Sequence, residues 1–241
     1  WATDLPVNKG QSNFDEISYE YYRDRDVATE AFKSGAFDLR AENQSKRWAT
    51  AYDFPALKEG KVKKILIPHE RPTGMQGFVF NTRKDFFSDP KVRLAINYAW
   101  DFEWTNKTLM YNAYKRTNSY FSNSELSSSG TLPEGEELKI LQKFKRQVPK
   151  QVFDEVYKAP QTDGSGNNRK NLRLALKLLR EAGWAVKDGK LVNRNGIPLK
   201  FELLIAYPSI ERLALPLKQS LKRLGIETVS YTHLTLPTNG L

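Results

Sequence analysis

Residues 77–106 constrain the fold of this chain more than any other stretch of its 241 residues. An apolar run that favours a β-strand ends at Asn81. Asp89 and Pro90 then start a helix, because Asp caps free N–H groups and Pro suits the first helical position. Asp101 is a second N-cap, which predicts another helix directly afterwards. Apolar side chains at i, i+3, i+4 and i+7 predict one buried face on the first helix: Val92, Ala95, Ile96 and Ala99.

The composition is that of a globular protein, with 39% hydrophobic and 12% aromatic residues. No apolar run approaches the ~20 residues that a membrane-spanning helix needs. Cysteine is absent, which excludes disulfides, thiolate nucleophiles and Cys-ligated metals. The net charge of +10 admits a nucleic-acid or anionic-membrane partner. The densest basic cluster, residues 139–146, is amphipathic, which favours scattered surface charge over a nucleic-acid site.

Both ends of the chain indicate an internal fragment of a longer protein. The chain opens at Trp1 without an initiator Met. Residues 229–241 begin with a string that resembles the translation of a sequencing adapter, and we interpret them as a non-native artefact. The alternative is a genuine strand rich in Thr and Tyr. With His233 set aside, His69 is the remaining histidine, so no His-based triad or multi-His metal site is expected.

The first third of the chain has the pattern of alternating strands and helices. Residues 17–22 and 37–40 carry β-formers on either side of an amphipathic helix at residues 25–33, which predicts a compact βαβ unit. Two further strands are predicted at residues 62–68 and 75–81.

The rest of the chain also mixes helices and strands. Residues 111–130 form a long loop rich in Asn, Ser and Tyr, and a loop of this length in a compact protein is usually functional or disordered. Its aromatic content argues against disorder. Residues 163–168 form a turn that lacks the ending of a phosphate loop. The remaining predictions are a helix, a hairpin, a strand and a helix, at residues 171–182, 184–192, 199–206 and 210–224.

Several segments together resemble the extracellular solute-binding proteins of family 5, and within them the YejA-type oligopeptide and microcin binding proteins. The resemblance covers residues 1–228, and the combination is more specific than any one piece. The segments that carry it are residues 31–40, 42–48, 67–81, 89–93, 117–126 and 162–167.

The resemblance implies an incomplete α/β (mixed α+β), two-lobe fold of the periplasmic binding protein type II kind. Residues 1–81 would be part of the first lobe and end in the hinge-crossing strand, and residues 82–228 would be the second lobe. The implied protein is the substrate-binding component of an ABC importer, a periplasmic monomer that captures oligopeptides in an interlobe cleft. Its partners would be the peptide and the permease subunits, with no cofactor, no catalysis and no nucleic acid.

A cleft that holds peptides of varied sequence works through backbone hydrogen bonds, a few charges for the termini and aromatic-lined pockets. An Arg in the long loop could hold a carboxylate bidentately. Trp48 has the alternative role of a core anchor. The candidate ligand-binding residues are Glu42, Asn43 and Trp48 at the rim of the first lobe, Asn81 at the crossing strand, and Tyr114, Arg116, Asn118, Ser119 and Tyr120 in the loop.

Two other functions remain as alternatives to a carrier. A basic nucleic-acid-binding protein is disfavoured by the scattered charge. A hydrolase on a similar α/β scaffold needs only two carboxylates at a suitable separation, and Glu42, Asp53, Asp101 and Glu103 are available. The chain nevertheless has no Gly-x-Ser-x-Gly elbow, no usable His pair and no paired acidic motif.

Overall fold

A computed structural model describes residues 1–11, 13–128, 130–205 and 208–232. The chain divides into two compact units, Trp1–Leu66 and Ile67–Leu241. We expected the first lobe to extend to residue 81, whereas this division falls at Leu66. The assignment of the chain to two lobes stays a prediction.

The first unit is built from short helices around aromatic side chains. Asp24 starts its longest helix, because its carboxylate accepts from the backbone N–H groups of Asp26 and Val27. Phe32, on the same helix, contacts the rings of Phe37 at 5.5 Å and Phe54 at 6.4 Å between centroids. The helices of this unit are α1 (Arg25–Lys33), α2 (Ser45–Thr50) and α3 (Pro55–Lys58), preceded by a 3-10 helix (Ala2–Asp4).

The strands predicted at residues 17–22, 37–40, 62–68 and 75–81 do not form, so the βαβ prediction is wrong. A strand needs a neighbouring strand that pairs with its backbone. Within the described part of the chain, none of these four segments has such a partner, and the isolated bridge of Thr73 with Ser122 lies outside them. Their β-forming side chains are therefore left in solvent. Exposed examples are Ile17, Tyr19, Tyr21, Leu39, Ile65, Leu66, Ile67 and Val79.

The second unit contains the remaining helices and all the described strands. Its helices are α4 (Asp85–Ser88), α5 (Pro90–Ala99), α6 (Phe102–Leu109), α7 (Gly135–Lys143), α8 (Gln151–Asp154), α9 (Arg169–Glu181) and α10 (Pro208–Arg223). Its strands are β1 (Ala185–Lys187), β2 (Lys190–Val192), β3 (Lys200–Ile205) and β4 (Glu227–Thr232). The helix starts predicted at Asp89 and Asp101 are both confirmed, since each carboxylate accepts a backbone N–H of the following turn.

The main core of this unit lies between α5 and α9 and extends to α10. The predicted stripe of α5 is fully buried, with Val92, Ala95 and Ala99 at 0% exposure. Leu179 of α9 and Leu221 of α10 complete the same apolar cluster. Burying a side chain the size of Val92, Leu179 or Leu221 contributes roughly 1.5–3 kcal/mol, so this core is a major source of stability for the second unit.

Two small sheets flank this core. β1 and β2 pair antiparallel around Asp188 and Gly189, which both have positive φ, as a type I′ hairpin turn requires. β3 and β4 pair in parallel through the crossover helix α10, with Lys200 opposite Glu227 and Ile205 opposite Thr232. The predicted hairpin is confirmed, and the strand predicted at 199–206 forms over Lys200–Ile205, with residue 206 outside the described residues.

β4 continues past residue 228, into the segment that we interpret as non-native. Val229 lies opposite Glu202, and the Ser230 hydroxyl accepts a hydrogen bond from Lys218 Nζ at 2.8 Å. Any segment rich in Val, Thr and Tyr can pair with an open strand edge, because the ladder is made by backbone groups. The adapter interpretation stays a prediction, and residues 233–241, with His233, lie outside the described residues.

Candidate functional site

The junction between α5 and α6 holds an irregular segment, residues 157–168, against the second unit. Asp101 is 7% exposed, and its Oδ1 accepts from Trp104 N at 3.1 Å and from Thr162 Oγ1 at 2.5 Å. Glu103 Oε2 accepts from Thr162 N at 3.0 Å. The segment is therefore fixed by two carboxylates at the start of α6, and Asp101 acts as a cap and anchor.

The predicted turn at residues 163–168 is confirmed and closes against an indole ring. Gly166 has a φ of +82°, and a Cβ there would lie 2.9 Å from Trp104 Cδ1. Asn168 is buried and donates from Nδ2 to the carbonyl of Tyr98 at 3.0 Å. Only glycine allows both the backbone conformation and the close approach at position 166.

Arg116 lies beside this junction as a partly buried cation. Its Nη2 donates to Asn97 Oδ1 at 2.6 Å, and its guanidinium lies 5.4 Å from the centre of the Phe102 ring. Burial lowers the pKa of Arg116, while the nearby Tyr157 and Glu103 act in the opposite direction. Among the described residues no carboxylate lies within ion-pair distance of Arg116, so its charge remains available to an anion.

Two of the predicted loop residues flank Arg116, and their backbone or amide groups are already held. The Asn106 amide brackets Tyr114, donating to its carbonyl at 2.8 Å and accepting from its N–H at 3.2 Å. Asn118 Oδ1 accepts from Ala159 N at 3.0 Å. These bonds position the loop against α6 and residues 157–168, while the side chain of Tyr114 stays exposed.

The remaining loop residues form a second turn with strained backbone. Ser119 Oγ accepts from Ser128 N at 2.7 Å and donates to the Tyr120 carbonyl at 2.8 Å. Tyr120 is 69% exposed, and the next residue, Phe121, has a φ of +57°. A bulky residue in this conformation costs about 1–3 kcal/mol and persists only where its surroundings hold it. Asn123 supplies that hold, since its Nδ2 donates to the carbonyl of His69 at 2.8 Å.

In the first unit, Glu42 belongs to a buried polar network. Its Oε1 accepts from Gln44 N at 2.9 Å, and its Oε2 accepts from the Tyr52 hydroxyl at 3.2 Å. Arg40 lies 3.6 Å from Oε2 and donates to Thr29 Oγ1 at 3.0 Å. Burial raises the pKa of Tyr52. Because the Glu42 side chain is 5% exposed and both oxygens are occupied, its geometry suits holding the unit together.

The other predicted residues lie nearer the surface. Trp48 is half-buried, 6.0 Å from the ring of Tyr52, with Lys64 Nζ 4.3 Å from its own ring centre. Asn43 is exposed. Asn81 is also exposed, and its Oδ1 accepts from Arg83 N and Nε, both at 3.2 Å.

The structure thus brings Tyr114, Arg116, Asn118, Ser119 and Tyr120 together in one ordered loop. Glu42, Asn43 and Trp48 lie in the other unit. The groups around Arg116 come from other parts of the chain, and no local sequence pattern marks them as its neighbours. They are Asn97, Phe102, Glu103 and Tyr157.

Curated relatives match almost all of this chain. It is 50% identical over 230 residues to the uncharacterized protein y4wM of Sinorhizobium fredii, covering 94% of the chain and 34% of the relative. It is 47% identical over 235 residues to the probable peptide-binding protein YejA of Agrobacterium fabrum, covering 96% of the chain and 38% of the relative. The chain therefore spans a little over a third of the length of these relatives.

A solved structure shows the same fold at lower identity. The structure of NikA from Brucella suis in complex with Fe(III)-EDTA matches with a TM-score of 0.55 and 22% identity, over 88% of this chain and 35% of that one. The chain is thus a mixed helix and strand structure that corresponds to part of a two-lobe periplasmic binding protein fold. None of its described helices is long and apolar enough to cross a membrane.

The family model of the bacterial extracellular solute-binding proteins, family 5 Middle, matches residues 1–230. This range includes the α5–α6 junction, the loop around Arg116 and the first two positions of the segment after residue 228. The chain belongs to the bacterial extracellular solute-binding proteins of family 5.

Proposed function

We propose that the chain is part of the substrate-binding component of an ABC importer that captures oligopeptides or peptide-like compounds. The complete protein would hold the ligand in the cleft between its lobes and deliver it to the membrane permease. The observation that carries this proposal is Arg116, a partly desolvated cation in an ordered aromatic loop, without a carboxylate partner among the described residues.

Arg116 is suited to the C-terminal carboxylate of a peptide. Its bond to Asn97 occupies one N–H, and its guanidinium lies over the Phe102 ring at 5.4 Å from the ring centre. The other N–H groups make no hydrogen bond within the described part of the chain, so they can form a bidentate pair with a carboxylate. Partial burial strengthens this attraction, because the effective dielectric is lower there than in water.

Exposed Tyr114 and Tyr120 would supply flat apolar contacts for ligand side chains of varied sequence. Asn118 and Ser119 have their side chains committed to holding the loop, so we assign them to positioning. Glu42 is likewise assigned to support of the first lobe, with Asn43 and Trp48 at its rim. Asn81 organises the entry to α4 through its bonds to Arg83.

The carrier would work in the periplasm as a monomer and would release its ligand unchanged. The name of the relative in Agrobacterium fabrum supports a peptide as ligand. The NikA structure holds Fe(III)-EDTA on the same fold, so the peptide is proposed from the site and that relative together. Lysines and arginines occur on every helix longer than one turn and are interleaved with acidic residues on α1, α6 and α7, which suits a carrier better than a nucleic-acid binder.

The test uses a chimera in which residues 1–230 replace the matching segment of the Agrobacterium fabrum relative. Calorimetry with a set of short peptides should show binding, and chromatography should show the peptides intact. Arg116→Gln should weaken binding of peptides with a free C-terminus by about 10–100-fold, the usual value of a hydrogen-bonded charge pair. Arg146→Gln removes an exposed charge as a control and should leave affinity unchanged.

C-terminally amidated peptides separate the carboxylate role from a general one. They should bind the unaltered chimera and the Arg116→Gln variant equally. If Arg116→Gln weakened both peptide forms to the same extent, the carboxylate assignment would be wrong. Release of cleaved peptide would overturn the carrier function itself.

A further inference from the structure

A shallow cleft of about 440 Å³ lies between the first half of α9 and the end of α10, apart from the loop around Arg116. Its floor is apolar, since Leu172 and Leu224 belong to the buried core and Leu176 packs against that core. Its rim consists of exposed arginines. The lining residues are Arg169, Leu172, Arg173, Leu176, Arg223 and Leu224.

The three arginines of this rim are electrostatically unbalanced. No acidic residue lines the cleft, and within the described ranges none of the three guanidinium groups makes a hydrogen bond or an ion pair. Other cations of the chain do find partners, as Arg47 does with Asp26 at 2.6 Å and Lys91 with Glu181 at 3.3 Å. Three like charges around one concavity repel one another and raise the local positive potential, which attracts anions.

The first turn of α9, which borders this cleft, has a charge opposite to the one that a helix N-terminus favours. This turn contains Arg169 and Lys170 and no acidic residue. The N-terminal end of a helix carries partial positive charge, so cations there are unfavourable and acidic residues are the usual choice. Residues that break a local rule without a local gain commonly belong to functional sites. Arg223 lies in the last turn of α10, where the helix dipole favours a cation. The unfavourable interaction with the helix dipole therefore concerns only the cations at the start of α9.

We propose that this cleft binds a phosphate group. All three rim cations are arginine, whose planar fork pairs bidentately with phosphate oxygens, whereas lysine offers only a point charge. Phosphate presents its oxygens in a tetrahedral array that three forks can approach from different sides, while a carboxylate has only two oxygens. The leucine floor provides an apolar surface for hydrocarbon next to the phosphate, as in a phosphate ester or a phospholipid.

The site goes beyond the proposed solute-binding function, because it uses none of the residues around Arg116. The two sources of the phosphate, a soluble ester and a lipid headgroup, call for separate measurements. The first measurement titrates the 241-residue chain with inorganic phosphate and with glycerol 3-phosphate, at constant ionic strength held by sodium chloride. Binding should appear as a rise in melting temperature that grows with ligand concentration.

The decisive comparison is between two triple variants of equal net charge. The combined Arg169→Gln, Arg173→Gln and Arg223→Gln variant should lose phosphate affinity at least about tenfold, since each charge-assisted bond has about that value. The combined Lys143→Gln, Lys145→Gln and Arg146→Gln variant removes three exposed cations elsewhere and should stay within about twofold of the unaltered chain. Circular dichroism verifies that both variants are folded.

The second measurement is co-sedimentation with vesicles of phosphatidylglycerol or of phosphatidylcholine. Binding to phosphatidylglycerol that the cleft variant loses and the control variant keeps identifies the lipid headgroup as the source. A response to soluble phosphate without vesicle binding identifies a soluble ester.

The inference is overturned if the cleft variant and the control variant behave alike in both measurements. It is also overturned if an acidic polypeptide binds at the cleft and phosphate does not compete, which would indicate a protein partner. The phosphate test compares the cleft variant with its control, and the peptide test compares Arg116→Gln with Arg146→Gln, so the two tests can fail independently.

Discussion

Replacing Thr162 by Val tests whether the bonds at the start of α6 hold the irregular segment of residues 157–168. The Thr162 hydroxyl donates to Asp101 Oδ1 at 2.5 Å, with Glu103 Oε2 as a second acceptor at 3.1 Å. One hydroxyl hydrogen serves one acceptor at a time, so the substitution removes one bond to a charged group. The same oxygen also accepts from the buried N–H of Gly164 at 3.2 Å, which would lose its acceptor.

A hydrogen bond to a charged group contributes about 1.5–3 kcal/mol, and an unsatisfied buried N–H costs about 1–3 kcal/mol. Allowing for partial relaxation, Thr162→Val should lower the free energy of unfolding of the second unit by about 2–4 kcal/mol. Thr162→Ser retains the hydroxyl and should cost less than about 1 kcal/mol. Urea unfolding followed by tryptophan fluorescence measures both.

A double-mutant cycle locates the effect. Asp101→Asn removes the charge of the main acceptor, so Thr162→Val should cost clearly less in that background than in the unaltered chain. Equal losses in both backgrounds, or equal stability of the Val and Ser variants, would refute the role assigned to this hydroxyl.

Three further perturbations test the fold. Leu179→Ala in the core should cost about 2–5 kcal/mol in urea unfolding, while Leu174→Ala, at a position 40% exposed, should change stability far less; similar losses would contradict the packing of α9. Gly166→Ala should cost about 1–3 kcal/mol because of its positive φ and the nearby Trp104 ring; an unchanged urea midpoint would contradict that close approach. The backbone N–H groups of Val27 and Asp26 lower the pKa of Asp24 below its ordinary value of 3.8. The charged cap therefore stabilises α1 above that value and loses its effect as the pH falls through the lowered pKa, so the stability advantage over Asp24→Asn should vanish in acid; an advantage independent of pH would contradict it.

Helices were predictable because their signals are local. The cap at Asp89, the following Pro90 and the buried stripe of α5 lie within one short stretch, and all were confirmed. The strands predicted in the first third of the chain do not form. β-branched residues such as Ile65 and Val79, both exposed here, favour extended backbone but do not by themselves produce a strand. Whether a strand forms depends on a partner that no local pattern contains.

In the candidate site, too, the local features were predictable and the long-range contacts were not. The composition of the loop was enough to select Arg116 and its neighbours as candidates. The environment that makes Arg116 distinctive depends on Asn97, Phe102 and Tyr157, which lie on other elements. Contacts across such distances follow from tertiary packing, which a single sequence does not display.

The contact between Gly166 and the Trp104 indole gives the second unit a built-in optical reporter. The indole is shielded on that side only while the turn of residues 163–168 is docked. Local release of the turn would hydrate the ring and move its emission to longer wavelength before the core between α5 and α9 unfolds. In a chain that keeps Trp104 as its sole tryptophan, time-resolved fluorescence would therefore follow the local opening and closing of the segment of residues 157–168.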